Sequence, residues 1–238
     1  MIKRVLVALV VLAGVVLLAS LGFWQWGRGQ QRTALHDAQL LQENAAPLGA
    51  AQLVAARASD TDLLHRPVIV RGEWLPGRTI FLDNRQMNEV PGFYVVTPLK
   101  IEGSQAVVLV QRGWVQRNFI KRELLPPIAT PTGTVEVDGR LAPPPAKLYA
   151  FDARESGPIR QNLDLNRFRL ETGLPLLPLS VQQTGPASEG LLRQWPQAGS
   201  GAEKNYGYAF QWWAMAATLA ILYVWFQFIH PRRQGQRA

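Results

Sequence analysis

Two uncharged apolar runs, Val5 to Trp26 and Tyr208 to Ile229, lie near the two ends of this chain and constrain everything between them. At a helical rise of about 1.5 Å per residue, each run makes roughly 33 Å of helix, enough to cross a bilayer. The first run is longer than the apolar core of a secretory signal, which is about 7 to 15 residues, and no clear small-x-small cleavage motif follows it. The sequence therefore predicts a retained helix at each end, with the middle of the chain on one side of the membrane.

A formal net charge of +8 raises the question of a nucleic-acid partner. The distribution answers it. Lys3, Arg4, Arg232, Arg233 and Arg237 flank the runs with no acidic residue beside them, whereas the middle, Gly27 to Gly207, holds all 17 acidic residues against the remaining basic ones. Most of the excess is thus the mark of cytoplasmic flanks. Both termini are expected in the cytoplasm and the middle outside it, although Arg28 and Arg32, just past the first run, pull the other way. No nucleic-acid partner is expected. The chain has no cysteine, which removes disulfides, thiolate metal sites and a cysteine nucleophile and leaves the central domain to be held by its own core.

Gln30 to Asn44 is made of good helix formers, so the first span is expected to continue outward or to reform after Gly27 and Gly29. AAPLGAAQLVAARAS then reads as a loop with a short helix. From Arg66 the period becomes two: in RPVIVRGEW, Val68, Val70 and Trp74 fall on one face and Arg71 and Glu73 on the other. The alternation returns in TIFLDNR, GFYVVTPLKI, QAVVLVQRGW and most clearly in TVEVDGRLA. Five or six such strands predict an antiparallel sheet that closes on itself or folds over. Proline clusters punctuate the later strands, a short helix is predicted from Leu163 to Thr172 with Gly173 as its stop, and LLPLSVQQ is the last strand.

The expected fold is thus a membrane protein in which two transmembrane α-helices flank a mostly β, antiparallel, barrel-like extracytoplasmic domain with short helices. The parts are residues 1–4, a cytoplasmic N-terminus; 5–26, the first span; 27–65, a helical and loop connector; 66–200, the β domain; 201–207, a tether; 208–229, the second span; and 230–238, a basic cytoplasmic tail.

Little in the sequence points to catalysis. His36, His65 and His230 are far apart and in no metal-ligand spacing, and neither a G-x-S-x-G elbow nor a Gly-rich phosphate loop occurs. Asp60 and Asp62 read as solvated surface. A non-enzymatic protein is expected. What remains are two aromatic clusters: Phe23, Trp24 and Trp26 close the first span, and Tyr206, Tyr208, Phe210, Trp212 and Trp213 open the second. An interfacial aromatic belt explains them without a ligand. It explains less well Gln25 and Gln211, amides that seek a partner across a helix pair. On the second helix Tyr208, Trp212, Met215 and Leu219 share one face, while Ala209, Ala216 and Ala220 offer a narrower one for close packing. Two readings stay open: anchoring with helix pairing, or a face for a partner or a flat apolar cofactor.

Five blocks, LGFWQWGRGQQR, RPVIVRGEWLPGRTIFLDNR, PGFYVVTPL, VLVQRGWV and YAFQWW, in this order between two terminal spans, closely resemble the surfeit locus protein 1 family, membrane proteins that assist assembly of cytochrome c oxidase. The resemblance covers nearly the whole chain and is weak from about Pro126 to Arg160. It implies a multi-pass protein of the bacterial inner membrane, with a periplasmic central domain, that delivers haem a to, or stabilises, the catalytic subunit of a haem-copper oxidase, with haem a synthase as a further partner. By the same resemblance Trp24, Gln25 and Arg28 match the family's end of helix one, and Tyr208, Ala209 and Trp212 its start of helix two. Tyr208, Gln211 and Trp212 are the implied haem a contacts. Arg112, Gly113 and Trp114 match the family's Arg-Gly-aromatic block and, with the helix-one residues, are the implied partner contacts.

The sequence departs from the family pattern twice. Asn205 stands where members commonly carry a histidine thought to serve haem a, and an amide is a poor iron ligand beside imidazole. Gln116 stands where a proline often follows the Arg-Gly-aromatic-Val block. The rival reading is a structural scaffold merely tethered by its helices, with no role in haem delivery.

Overall fold

Burial alternates along β1 (Pro67–Trp74), with Val68, Val70 and Trp74 inward and Ile69, Arg71 and Glu73 outward, in the computed structural model, which describes residues 2–121, 123–148, 156–196 and 199–229. His230 and the basic tail lie outside the described residues. The chain divides into two units, one from Met1–Ala38 and Ala198–Ala238, the other Gln39–Gln197.

In the second unit the further strands are β2 (Ile80–Met87), β3 (Val90–Ile101), β4 (Val107–Gln116), β5 (Thr134–Ala142), β6 (Ile159–Arg160) and β7 (Leu176–Gln183). The sheet runs β1-β5-β7-β4-β3-β2-β6, and β3 also pairs with β1, so β1, β5, β7, β4 and β3 form a closed five-stranded barrel. The mostly antiparallel expectation holds, with two exceptions: β7 joins β4 in parallel, Leu109 opposite Ser180, and the two-residue β6 lies parallel to β2. The barrel is filled by its own side chains, among them Val70, Leu99, Ile101, Val108, Val110, Val137, Leu141 and Val181, and is capped by Leu48 and by Leu53 of α2 (Ala50–Ala55).

A second apolar layer lies outside the barrel. Val107 and Leu109 of β4 point away from Val108 and Val110 and meet Leu82, Val96 and Phe168. Strand β4 is therefore buried on both faces, continuously from Val107 to Trp114, and the one-sided alternation expected of QAVVLVQRGW does not hold there. Phe168 is brought there by α3 (Leu165–Thr172), whose start and stop are legible: the Asp164 carboxylate accepts from the backbone N–H of Arg167 at 3.0 Å, and Gly173, at φ 70°, closes the last turn onto the Arg169 carbonyl.

In the first unit, α1 (Ile2–Glu43) runs unbroken through Gly27 and Gly29, and its last residues, from Gln39, belong to the β unit. The stretch read as a tether, residues 201–207, is helical instead: α4 (Ala202–Val224) begins within it. Both long helices, the second counted from Ala202 to Ile229 with its closing π-helical turn, are apolar and long enough to cross a membrane.

The β2–β3 hairpin turns through Asn88 and Glu89, with φ of 51° and 66°. A two-residue turn with both residues left-handed favours Asn-Gly. Glu89→Gly relieves a strained residue by about 1 kcal/mol and returns part of that as unfolded-state entropy. Thermal unfolding of the full chain in detergent is expected to show a small rise in Tm; an unchanged or lowered Tm would mean that the turn is not strained.

Candidate functional site

The helical unit is built around glycines. A Cβ placed on Gly22 would lie 2.2 Å from the indole Nε1 of Trp213, and one on Gly29 would lie 2.6 Å from the ring of Tyr206. Each glycine is a notch that receives an aromatic side chain of α4, while Ala209 and Ala216 of α4 are buried in return. The rings extend the seam: Phe23 meets Trp213 edge-on with centroids 5.3 Å apart, and Trp26 lies 4.8 Å from Tyr206 and 5.9 Å from Trp213.

Polar groups close the same seam. The Asn205 side-chain N–H donates to Oε1 of Gln25 at 2.8 Å, and the Tyr206 hydroxyl lies 3.3 Å from the Thr33 hydroxyl. Arg32 donates to the carbonyl of Gly201 at 3.3 Å. Gln25 thus has in Asn205 the cross-helix partner that its sequence position asked for.

Of the other residues singled out in the helices, Leu219 lies in the seam, 3.0 Å from where a Cβ on Gly14 would stand, and several others are more open. Trp24 is 58% and Tyr208 is 54% exposed; Arg28 and Gln211 are exposed and Trp212 is half-buried. Of Ala209, Ala216 and Ala220, expected to form the close-packing face, Ala209 and Ala216 are buried and Ala220 is only partly so. Trp213 and Tyr206 were the residues the helical periodicity passed over, and the signal that could have found them is the glycine opposite each one.

In the β unit, Arg112, Gly113 and Trp114 are buried in the domain. Arg112 is the extra residue of a bulge, since Val95 pairs with Gly113 and Val96 with Gln111. Its guanidinium, 0% exposed, donates to Thr130 Oγ1 at 2.9 Å, to the Ala129 carbonyl at 2.7 Å and to Glu189 at 2.8 Å, and stacks on Trp74 at 4.6 Å. Gly113 lets the chain ahead of Trp195 approach: a Cβ there would lie 2.7 Å from the Leu192 carbonyl. The backbone of Trp114 exchanges both hydrogen bonds with Leu192, and its indole N–H donates to the Arg85 carbonyl at 2.9 Å. The block therefore joins the barrel core to the loops at 129–130 and 189–193. Arg193 shares Glu189, and burial, aided by Arg112, lowers its pKa while Glu189 opposes the shift.

His65 stands apart, with φ 70° and its backbone N–H bonded to the Leu141 carbonyl. Burial, then Arg140, lowers its pKa, against a smaller raising effect of Glu43. Among the described residues no three His, Cys, Asp or Glu side chains are placed to hold a metal ion.

Two outcomes follow from this geometry. With no native cysteine, Gln25→Cys/Asn205→Cys in native membranes should form an intramolecular disulfide on mild oxidation, and adding Gly22→Leu should suppress it; equal cross-linking with and without Gly22→Leu would mean that the notch does not hold the pair. Arg112→Lys keeps the charge but cannot reach three acceptors and stack at once, so it is expected to cost about 2–4 kcal/mol in denaturant unfolding. A loss below about 0.5 kcal/mol, the range of an ordinary surface substitution, would contradict the network.

The comparisons with known proteins agree with this organisation. Residues 12–217 match the SURF1 family. A SURF1-like protein of Rickettsia bellii (strain RML369-C) is 27% identical over 242 residues, which cover 90% of this chain and 88% of that protein. SURF1-like proteins of Rickettsia prowazekii (strain Madrid E) and Rickettsia felis (strain ATCC VR-1525 / URRWXCal2) are 32% and 34% identical over 44% of this chain, and those matches span 41% and 45% of the relatives' own length. A match running from within α1, through the closed barrel, to Ala217 takes in all seven strands, α2 and α3 and most of α1 and α4, and the chain belongs to the SURF1 family.

Proposed function

We propose that this protein is a non-enzymatic assembly factor for a haem-copper terminal oxidase, set in the bacterial inner membrane with both termini cytoplasmic and the barrel periplasmic. It holds the catalytic subunit laterally, through the outer faces of its two spans. Family membership supports the process. One observation carries the mode of contact: the seam between α1 and α4 is filled by its own glycines, rings and amides, while Trp24, Tyr208, Phe210 and Gln211 on the outer faces are left uncovered. In a bilayer, aromatic and amide side chains in such positions favour lateral packing against another helix.

Haem a is the cargo class that the family resemblance suggests, and Asn205 does not fit an axial ligand for it. Its amide N–H is donated to Gln25, and a carboxamide is a weak donor to iron. On this reading the protein stabilises the catalytic subunit around haem insertion. Any haem a it meets lies against Tyr208, Gln211 and Trp212 without a bond to iron from position 205. Haem a synthase is a second partner, as the source of that cargo.

The test is the reduced-minus-oxidised spectrum of membranes from a deletion strain, scaled to haem b. The haem a band should fall on deletion, return with the wild-type gene, and stay low with Gln211→Leu/Trp212→Leu even though that variant accumulates in membranes. The variant keeps the helix apolar, so a mere tether would tolerate it. An unchanged haem a band in the deletion strain, under conditions where the oxidase is made, would replace this function with the scaffold reading. Asn205→His separates the haem question: haem that co-purifies with the variant and not with the wild type fits an unliganded native site, and equal haem in both overturns it.

A further inference from the structure

We propose that the loop after β4 is a lipid-contacting tip that enters the headgroup region of an anionic bilayer. Where the chain leaves β4 it reads RNFIKRELL, residues 117–125. Ile120 is 93% exposed, Phe119 61% and Leu124 57%, a concentration of bare apolar surface; elsewhere among the described residues of this unit the strongly exposed apolar side chains are Leu41, 75% exposed near the end of α1, and Leu170, 88% exposed between Arg169 and Glu171.

The tip is held, not loose. The Asn118 side-chain oxygen accepts from the backbone N–H groups of both Ile120 and Lys121, at 2.8 and 2.9 Å, and the N–H of Leu124 bonds to the Lys121 carbonyl at 3.0 Å. These three donors, which would otherwise be stranded on leaving water, are already satisfied for a medium that offers no replacement. At its base, Leu125 and Ile128 pack on Phe81, Phe93 and Val95 of the core. The guanidinium of Arg117 lies 5.9 Å from the Phe119 ring centroid and supports it from behind.

Charge selects the occupant. Arg117 and Lys121 border the apolar side chains, with Arg122 next in sequence; Glu123 is the acidic residue within the loop, and Asp83 faces Arg117 at 3.9 Å. An apolar tip with a basic border matches a surface of acidic headgroups over hydrocarbon, where apolar burial and electrostatic attraction act together and long basic side chains reach the phosphates. The domain is joined to membrane-crossing helices at both ends, so a bilayer is always at hand. A protein partner would be a different proposal, and the basic border favours lipid.

The full chain, which contains no cysteine, permits a single spin label at Ile120→Cys, with Gln105→Cys in the β3–β4 turn as the control. Each is reconstituted into vesicles of phosphatidylcholine alone or mixed with phosphatidylglycerol. In the mixed vesicles the label at 120 should be shielded from a water-soluble nickel chelate and accessible to oxygen, while that at 105 remains open to the chelate. Adding Lys121→Glu should reduce the shielding several-fold, with an unchanged unfolding temperature showing that the fold is intact. Equal chelate access at 120 and 105 overturns the proposal, as does shielding that ignores lipid charge. A label open in vesicles but shielded in native membranes assigns the tip to a protein and overturns it equally.

Discussion

The domain depends on the closure of β3 onto β1. Strand β3 is long enough to be used twice: its first half pairs with β2 and its last residues pair with β1, Gly72 opposite Ile101 and Trp74 opposite Leu99. Closure removes the free edges of the five-stranded ring and lets Val70, Leu99, Ile101 and Val137 share one interior. It passes through a glycine because nothing larger fits, since a Cβ on Gly72 would lie 2.2 Å from the Lys100 carbonyl. In a chain without cysteine, this ring and the layer beneath α3 do the work that cross-links do in many small extracytoplasmic domains.

The helical unit solves a different problem by a related device. Lipid offers no hydrophobic driving force for two apolar helices to meet, so association rests on close fit and on polar groups that find each other. Gly22 and Gly29 let Trp213 and Tyr206 approach, and Gln25 meets Asn205. Asn205 is thereby part of the pairing, and the aromatic side chains not needed for it are displayed outward. The same residue types, Trp and Gln, serve the seam at 213 and 25 and face away from it at 24 and 211.

Legibility in the sequence followed burial. Strands β1 and β5 were plain because each has one wet face, and α3 was plain because its Asp164 cap and Gly173 stop are local. The parallel pairing of β7 with β4 was not readable, because it depends on which distant strand offers an edge, and the two-residue β6 carries no period at all. Gly27 and Gly29 left it open whether α1 continues outward or reforms after them. Each costs a helix about 1 kcal/mol against alanine, but at Gly29 the missing side chain is what seats Tyr206. Arg112 could be picked out as part of a block, yet its burial could not, because Trp74, Thr130 and Glu189 lie far from it in sequence.

That burial changes what the Arg-Gly-aromatic block can be asked to do. Arg112 spends its terminal nitrogens on three acceptors, stacks on a ring and keeps its unpartnered Nε buried, and Trp114 spends its indole N–H on Arg85, so neither presents an accessible polar group to another molecule. A surface contact in such a region would have to come from what the block positions: the 129–130 loop and the segment around Leu192 that exchanges backbone hydrogen bonds with Trp114. A buried charge removed from its partners costs several kcal/mol, so loss of Arg112 would disturb both loops at once. The block then acts as the keystone of a surface and the surface itself is formed by less distinctive residues, which accounts for a family signature that lies inside the domain.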